Sequence, residues 1–334
     1  MSYLIYILLS MLLFVACDSS HDEGGDEYAR VLPINIRIKT TEVPQQRALG
    51  DPGVKEEFPL PRMAYIYVLA NSETDGTGAS LLQMVSGANS QGGIALEPTW
   101  WAKDGSDPSI YHYTGPLNIK LWHLTQSAKV YVAVSDREIP GIQLPSNPDE
   151  IVSLKYDLSQ IGEASSEFMK NLYATPYNLN KSDGAYYGTV IDLNTNTPSV
   201  NVMLYHVAAR LDIKWNVEDE RRQSFALGAL SVNNLPKQCY LFQPTLNNVP
   251  ADANAYSESI VSSFSPTTAW SGRKVVYVPQ VNDGASGFPV TLSYTNEAAA
   301  PADKNGTHAE RFAFESDVFT TWFNVEANFV KNNQ

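Results

Sequence analysis

Apolar and polar residues alternate one by one through most of this sequence. In the stretch 31–39, Leu32, Ile34, Ile36 and Ile38 fall on one side of an extended chain, and Asn35, Arg37 and Lys39 on the other. That is the period of a half-buried β-strand. Pro33 has no N–H to give a neighbour, so this strand is expected at a sheet edge, or paired on one side only near its start. Ala64–Ala70 (AYIYVLA) is apolar on both faces and reads as a central strand. Leu117–Leu124 and Ala128–Ser135 read as two strands joined by a tight turn.

The clearest alternation comes later. Val207, Ala209, Leu211, Ile213, Trp215 and Val217 interleave with Ala208, Arg210, Asp212, Lys214 and Asn216. Beyond it, FALGALSVNNLP, QCYLFQP, KVVYVPQ, FPVTLSYTN, ERFAFES and TWFNVEANFVKNN read as short strands between clusters of Asn, Gly, Pro and Asp. In the last of them Phe323, Val325, Ala327 and Phe329 alternate with Asn324, Glu326 and Asn328. The stretch 151–174 carries the best helical spacing, enough for one or two short helices. The segment 192–202 is polar and turn-rich, and the domain boundary is placed near its end. The pattern predicts an all-β chain in two halves, 30–203 with a few short helices and 204–334 with a final strand over 318–330.

Composition and charge narrow the function. A formal charge of −13 with no Lys/Arg cluster excludes nucleic acid and anionic membrane surfaces as partners. Cys239 stands alone in the body of the chain, so no internal disulfide is expected and it reads as a buried structural thiol. Cys17 closes the apolar run YLIYILLSMLLFVAC, and FVAC resembles a lipobox. The expectation is a lipoprotein signal over 1–17 with lipidation on Cys17. A flexible acidic tether then covers 18–29, since DSSHDEGGDE has no apolar surface to bury.

The search for chemistry finds little. His21, His112, His123, His206 and His308 have no metal-ligand spacing, and no nucleophile elbow, phosphate-binding glycine loop or calcium loop is present. Neither an enzyme nor a metal or cofactor site is expected. Trp100 and Trp101, followed by Tyr111–Tyr113, read either as aromatics that pack a loop onto the sandwich core or as a sugar-stacking platform. One segment stands out for another reason. VPQQRALGDPG (43–53) is polar, rich in Gly and Pro, and sets a single arginine between the first two strands. It is either a surface turn or a protease site that detaches the first strand.

Taken together, the lipobox, the alternating strand, RALGDPG, the buried YIYVL strand and YHVAARLDIKW resemble the fimbrillin superfamily of Bacteroidetes, whose members build lipoprotein-derived type V pili. The resemblance implies two tandem transthyretin-like β-sandwiches, a lipid anchor in the outer membrane and a place at the cell surface. It also implies a trypsin-like, arginine-specific protease that cuts between Arg47 and Ala48 and so frees the strand bearing Leu32, Ile34, Ile36 and Ile38. The partners would then be other pilus subunits, joined head to tail. Burying four such side chains contributes roughly 6–12 kcal/mol, and a neighbour's strand could recover it by strand addition. Phe323, Val325, Ala327 and Phe329 form the candidate donor face. The alternative from another class is a surface glycan-binding lipoprotein that uses Trp100 and Trp101.

Overall fold

The architecture is that of a computed structural model. The structure describes residues 30–40, 60–71, 80–84, 92–121, 128–143, 154–161, 165–175, 178–180, 185–187, 189–191, 198–217, 219, 225–242, 255–261, 270–279, 288–296, 299, 305–312 and 322–329. The chain is all-β with very little helix.

In the first half the strands are β1 (Arg30–Lys39), β2 (Met63–Asn71), β3 (Ser80–Met84), β4 (Gly93–Ala95), β5 (Trp101–Lys103), β6 (Ile110–Tyr113), β7 (Asn118–Leu121) and β8 (Ala128–Ser135). Then follow β9 (Lys155–Asp157), the single described α-helix α1 (Ser165–Lys170), β10 (Tyr173–Ala174), β11 (Asn178–Asn180), β12 (Ala185–Tyr187), β13 (Thr189–Ile191) and β14 (Val200–His206). One large sheet runs β3-β2-β8-β10-β14-β1-β6-β5, with β4, β7 and β13 added along it. It curls on itself. Alternation sends Ala64, Ile66 and Val68 of β2, Val130, Val132 and Val134 of β8, and Val200, Val202 and Leu204 of β14 into the same core as the apolar face of β1.

β2 is central, as its two apolar faces predict: Tyr65 and Tyr67 on its other side are also fully buried. They join a second cluster that includes Phe168 and Met169 of α1 and reaches Phe242 and Tyr277 of the later half. Two more links tie the halves together. β9 pairs with β17 (Gln238–Tyr240), and the Tyr277 N–H donates to the Ser166 hydroxyl at 2.9 Å.

The later half continues with β15 (Ala208–Val217), β16 (Phe225–Pro236), β18 (Ala255–Val261), β19 (Ser271–Pro279), β20 (Phe288–Asn296), β21 (Asn305–Phe312) and β22 (Trp322–Phe329). They form two sheets, β19-β15-β22 and β18-β16-β20-β21. Leu211, Ile213, Trp215 and Val217 of β15 meet Leu230 and Val232 of β16, Val276 and Val278 of β19, and Leu292 of β20 in a third core. The passage from one half to the other falls at Val207, because β14 still pairs with β1 through Tyr205 and β15 opens the next sheet at Ala208. There His206 lies buried between the rings of Tyr173 and Tyr277.

One expectation needs correction and another is narrowed. β7 and β8 do not form a hairpin: β7 pairs with β1, whereas β8 pairs with β2, β10 and β13. β1 is interior to its sheet, and of the two outcomes expected of it the one-sided pairing near its start is the one observed. Pro33 has the milder effect allowed for it, since residues 30–33 pair with β7 alone and the ladder to β14 begins at Ile34. The Ile34 N–H points to the β7 side, onto the Leu117 carbonyl at 2.9 Å. Backbone N–H groups alternate sides along a strand, so the Pro33 nitrogen faces the side where β14 has not yet begun.

Candidate functional site

The seat of β1 is the most fully built polar and apolar site described. Leu32, Ile34, Ile36 and Ile38 are between 0 and 2% exposed, so the whole apolar face of the strand is core. On one side β14 runs parallel, from Ile34 opposite Val200 to Lys39 opposite Tyr205. On the other side two antiparallel strands share the edge: β7 along 30–33 and β6 along 37–39. Thr40 closes the seat, where its N–H and its hydroxyl both donate to the Ser109 carbonyl, at 2.8 and 2.7 Å.

The outward face is polar and specific. The Asn35 amide donates to the Asn201 side-chain oxygen at 2.9 Å and to the Ser199 hydroxyl at 3.2 Å. Arg37 pairs with Asp104, and the Lys39 ammonium lies 2.6 Å from the Asp107 carboxylate. Both aspartates sit in the turn between β5 and β6, which holds them ready. Asp104 accepts from the Ser106 N–H and hydroxyl, at 2.8 and 2.6 Å, and Asp107 accepts from the Ser109 N–H at 3.0 Å. Those Ser106 bonds, with Arg37 adding to them, keep the Asp104 carboxyl well below the usual carboxylate range. Lys39 first, and then Ser109, lower Asp107 to about 2. Neither aspartate was singled out by sequence reading. A polar turn of this kind gives no local sign of which strand it will face.

The tryptophan pair divides. Trp101 is buried, its indole N–H donates to the Pro61 carbonyl at 2.9 Å, and its ring packs on Tyr113 at 5.2 Å. It is a core side chain and has no face left for a sugar. Trp100 is 42% exposed, with its ring 6.0 Å from that of Tyr113. Gly115 allows that placement, because a Cβ there would come within 1.9 Å of the Trp100 ring.

Cys239 is buried, and burial pushes its thiol up to about 12, so it is not a nucleophile at neutral pH. Among the described residues no group of three His, Cys, Asp or Glu side chains could hold a metal ion. Cys17, the tether, and the 43–53 loop with Arg47 and Ala48 lie outside the described residues. Of the candidate donor face Phe323, Val325, Ala327 and Phe329, the structure describes the backbone. It belongs to β22, which runs parallel to β15 at the edge of its sheet, with Phe323 opposite Leu211 and Phe329 opposite Val217.

No protein-family model matches this chain, and no curated protein matches it in sequence. Solved structures do. A fimbrial assembly protein from Parabacteroides distasonis aligns over 91% of this chain and 94% of its own, at 11% identity and a TM-score of 0.47. The tip fimbrial protein Mfa3 from Porphyromonas gingivalis, truncated at its C-terminus, aligns over 85% and 82%, at 10% identity and a TM-score of 0.42. A proposed polysaccharide-binding protein from Bacteroides thetaiotaomicron aligns over 88% and 90%, at 10% identity and a TM-score of 0.43. Two of these three are fimbrial proteins from Bacteroidetes, in keeping with the resemblance that the RALGDPG segment and the VAARLDIKW strand carry.

Proposed function

We propose that this chain is a structural subunit of a surface fimbria that serves cell adhesion. Its body is a pair of tandem transthyretin-like β-sandwiches, exported as a lipoprotein on Cys17 and anchored in the outer membrane. An arginine-specific, trypsin-like protease cuts between Arg47 and Ala48. β1 then leaves, and a strand from a neighbouring subunit takes its seat, joining subunits head to tail. The chain acts by assembly and not by catalysis.

The observation that carries this reading is the seat of β1. The strand comes first among the described elements, is interior to its sheet, and buries Leu32, Ile34, Ile36 and Ile38, the whole of its inward face. One cut downstream of it therefore detaches a whole strand and leaves two open ladders over an apolar trough. Unpaired ladders of that kind are costly and invite a replacement strand. Brief trypsin treatment of the folded chain tests the reading. The expected first product starts at Ala48, and ladders of oligomers follow on gels. A chain that stays uncut at Arg47, or that is cut and stays monomeric with β1 in place under every condition tried, contradicts it.

Trp100 supports a second reading, a surface glycan-binding lipoprotein, because an exposed indole beside Tyr113 offers a stacking face. On that reading Trp100→Ala abolishes retention on a polysaccharide column and leaves stability within about 0.5 kcal/mol. On the fimbrial reading oligomer formation by the same variant is unchanged.

A further inference from the structure

The seat of β1 selects its occupant by charge. Asp104 and Asp107 stand along its outer rim, and each meets a cation of β1, Arg37 and Lys39, two residues apart on the outward face. When β1 leaves, these carboxylates stay. Ser106 and Ser109 belong to the same turn and keep hold of them, so both remain ionised at neutral pH and have lost their cations. A replacement strand must run parallel to β14 and antiparallel to β6 and β7. It must also place apolar residues where Leu32, Ile34, Ile36 and Ile38 stood.

The last strand of this same sequence meets the second demand and fails the charge demand in every register. With Phe323 in the place of Leu32, Asn328 and Val330 take the places of Arg37 and Lys39. Moved forward by two residues, Glu326 stands beside Asp104 and Asn328 beside Asp107, which adds like-charge repulsion. Moved back by two, Lys331 falls on the buried position of Ile38. A one-residue shift turns the apolar face outward.

We propose that the seat of β1 takes a strand from a different protein, one that carries basic residues at the two outward positions beside Asp104 and Asp107, and discriminates against the last strand of its own kind. This rests on the reading of β1 as a replaceable strand. Rim charges act mainly on partner choice and on the rate of encounter, which is what an assembly with a fixed subunit order needs.

The test uses the full chain with the 43–53 segment replaced by the recognition sequence of a site-specific protease, nicked in the folded state so that β1 is held only by its contacts. Exchange of β1 for fluorescent peptides is followed by anisotropy. A peptide of residues 30–40 is expected to bind roughly tenfold tighter than the same peptide with Arg37→Gln and Lys39→Gln, as two exposed ion pairs allow. That gap is expected to close in 1 M salt and in the Asp104→Asn, Asp107→Asn chain. A peptide of residues 322–331 is expected to bind more weakly than either, and to improve when Asn328→Arg and Val330→Lys are introduced. Equal binding of the basic and neutral peptides, or binding of the 322–331 peptide as tight as that of the 30–40 peptide, overturns the charge rule and leaves strand replacement standing. No exchange with any peptide overturns strand replacement itself.

Discussion

The first and last described strands of this chain hold mirrored positions with opposite consequences. β14 and β15 are consecutive and joined at Val207; β1 lies parallel along the former and β22 parallel along the latter. β1, however, is interior, with β14 on one side and β6 and β7 on the other. Among the described residues β22 pairs with β15 alone. Losing an interior strand leaves two ladders and a trough unfilled, whereas losing an edge strand opens one ladder. Position in the sheet, more than sequence pattern, separates a strand whose absence must be repaired from one that can be lent.

The sharpest way to break this comparison is to remove each strand in turn. A chain that begins at Ala48 forgoes roughly 6–12 kcal/mol of apolar burial, more than most domains hold in reserve. It is expected to lose the near-UV circular dichroism of its buried tyrosines and to recover it when the 30–40 peptide is added. A chain that ends at residue 320 is expected to keep the fold of the first half, read from the protection of Tyr65 and Tyr67 in hydrogen exchange. Equal tolerance of both deletions ends the distinction.

A smaller effect comes from a single side chain. Ile36 is fully buried at the centre of the β1 face. Ile36→Ala is expected to lower unfolding stability by about 2–5 kcal/mol in urea titrations. In the nicked chain described above, the same variant is expected to speed the departure of β1.

The smallest effect is electrostatic. The carboxyl of Asp107 is depressed to about 2 in the folded chain, and that of Asp104 is depressed further. A depressed carboxyl gives stability that is fully present above its unfolded value, about 3.9, and is lost as pH falls through the folded one. Lys39 is the largest cause for Asp107, whereas the Ser106 bonds that dominate for Asp104 stay when β1 leaves, so the grip on β1 is expected to weaken as pH falls toward about 2. Replacing both aspartates with asparagine is expected to weaken the hold on β1 at pH 7 by roughly tenfold, as loss of two ion pairs allows, and to flatten its remaining acid dependence.

Local physics made much of this legible in the sequence. The alternation of Leu32, Ile34, Ile36 and Ile38, the two-faced burial of 64–68 and the inward set Leu211, Ile213, Trp215 and Val217 all follow from the period of a strand against a core. Partnership did not follow, because it is non-local. β14 lies about 160 residues beyond β1, and no residue of either strand announces a parallel pairing. The outward residues Arg37 and Lys39 read as ordinary solvent-facing positions until the turn at 104–109 is folded against them. β18 was missed for a related reason. AYSESIV is too polar to show a face, and it is held by its pairing with β16. The tryptophan pair shows the limit most plainly. Trp100 and Trp101 are adjacent and chemically identical, yet the start of β5 turns one into the core and leaves the other in water.

The central claim is that the assembled protein has exchanged its first strand for another. The most direct measurement is the N-terminal sequence, by mass spectrometry, of the chain recovered within polymers from the cell surface. A start at Ala48, with residues 30–39 absent, is the predicted result. Polymers whose subunits begin at a lipidated Cys17 and retain β1 contradict it.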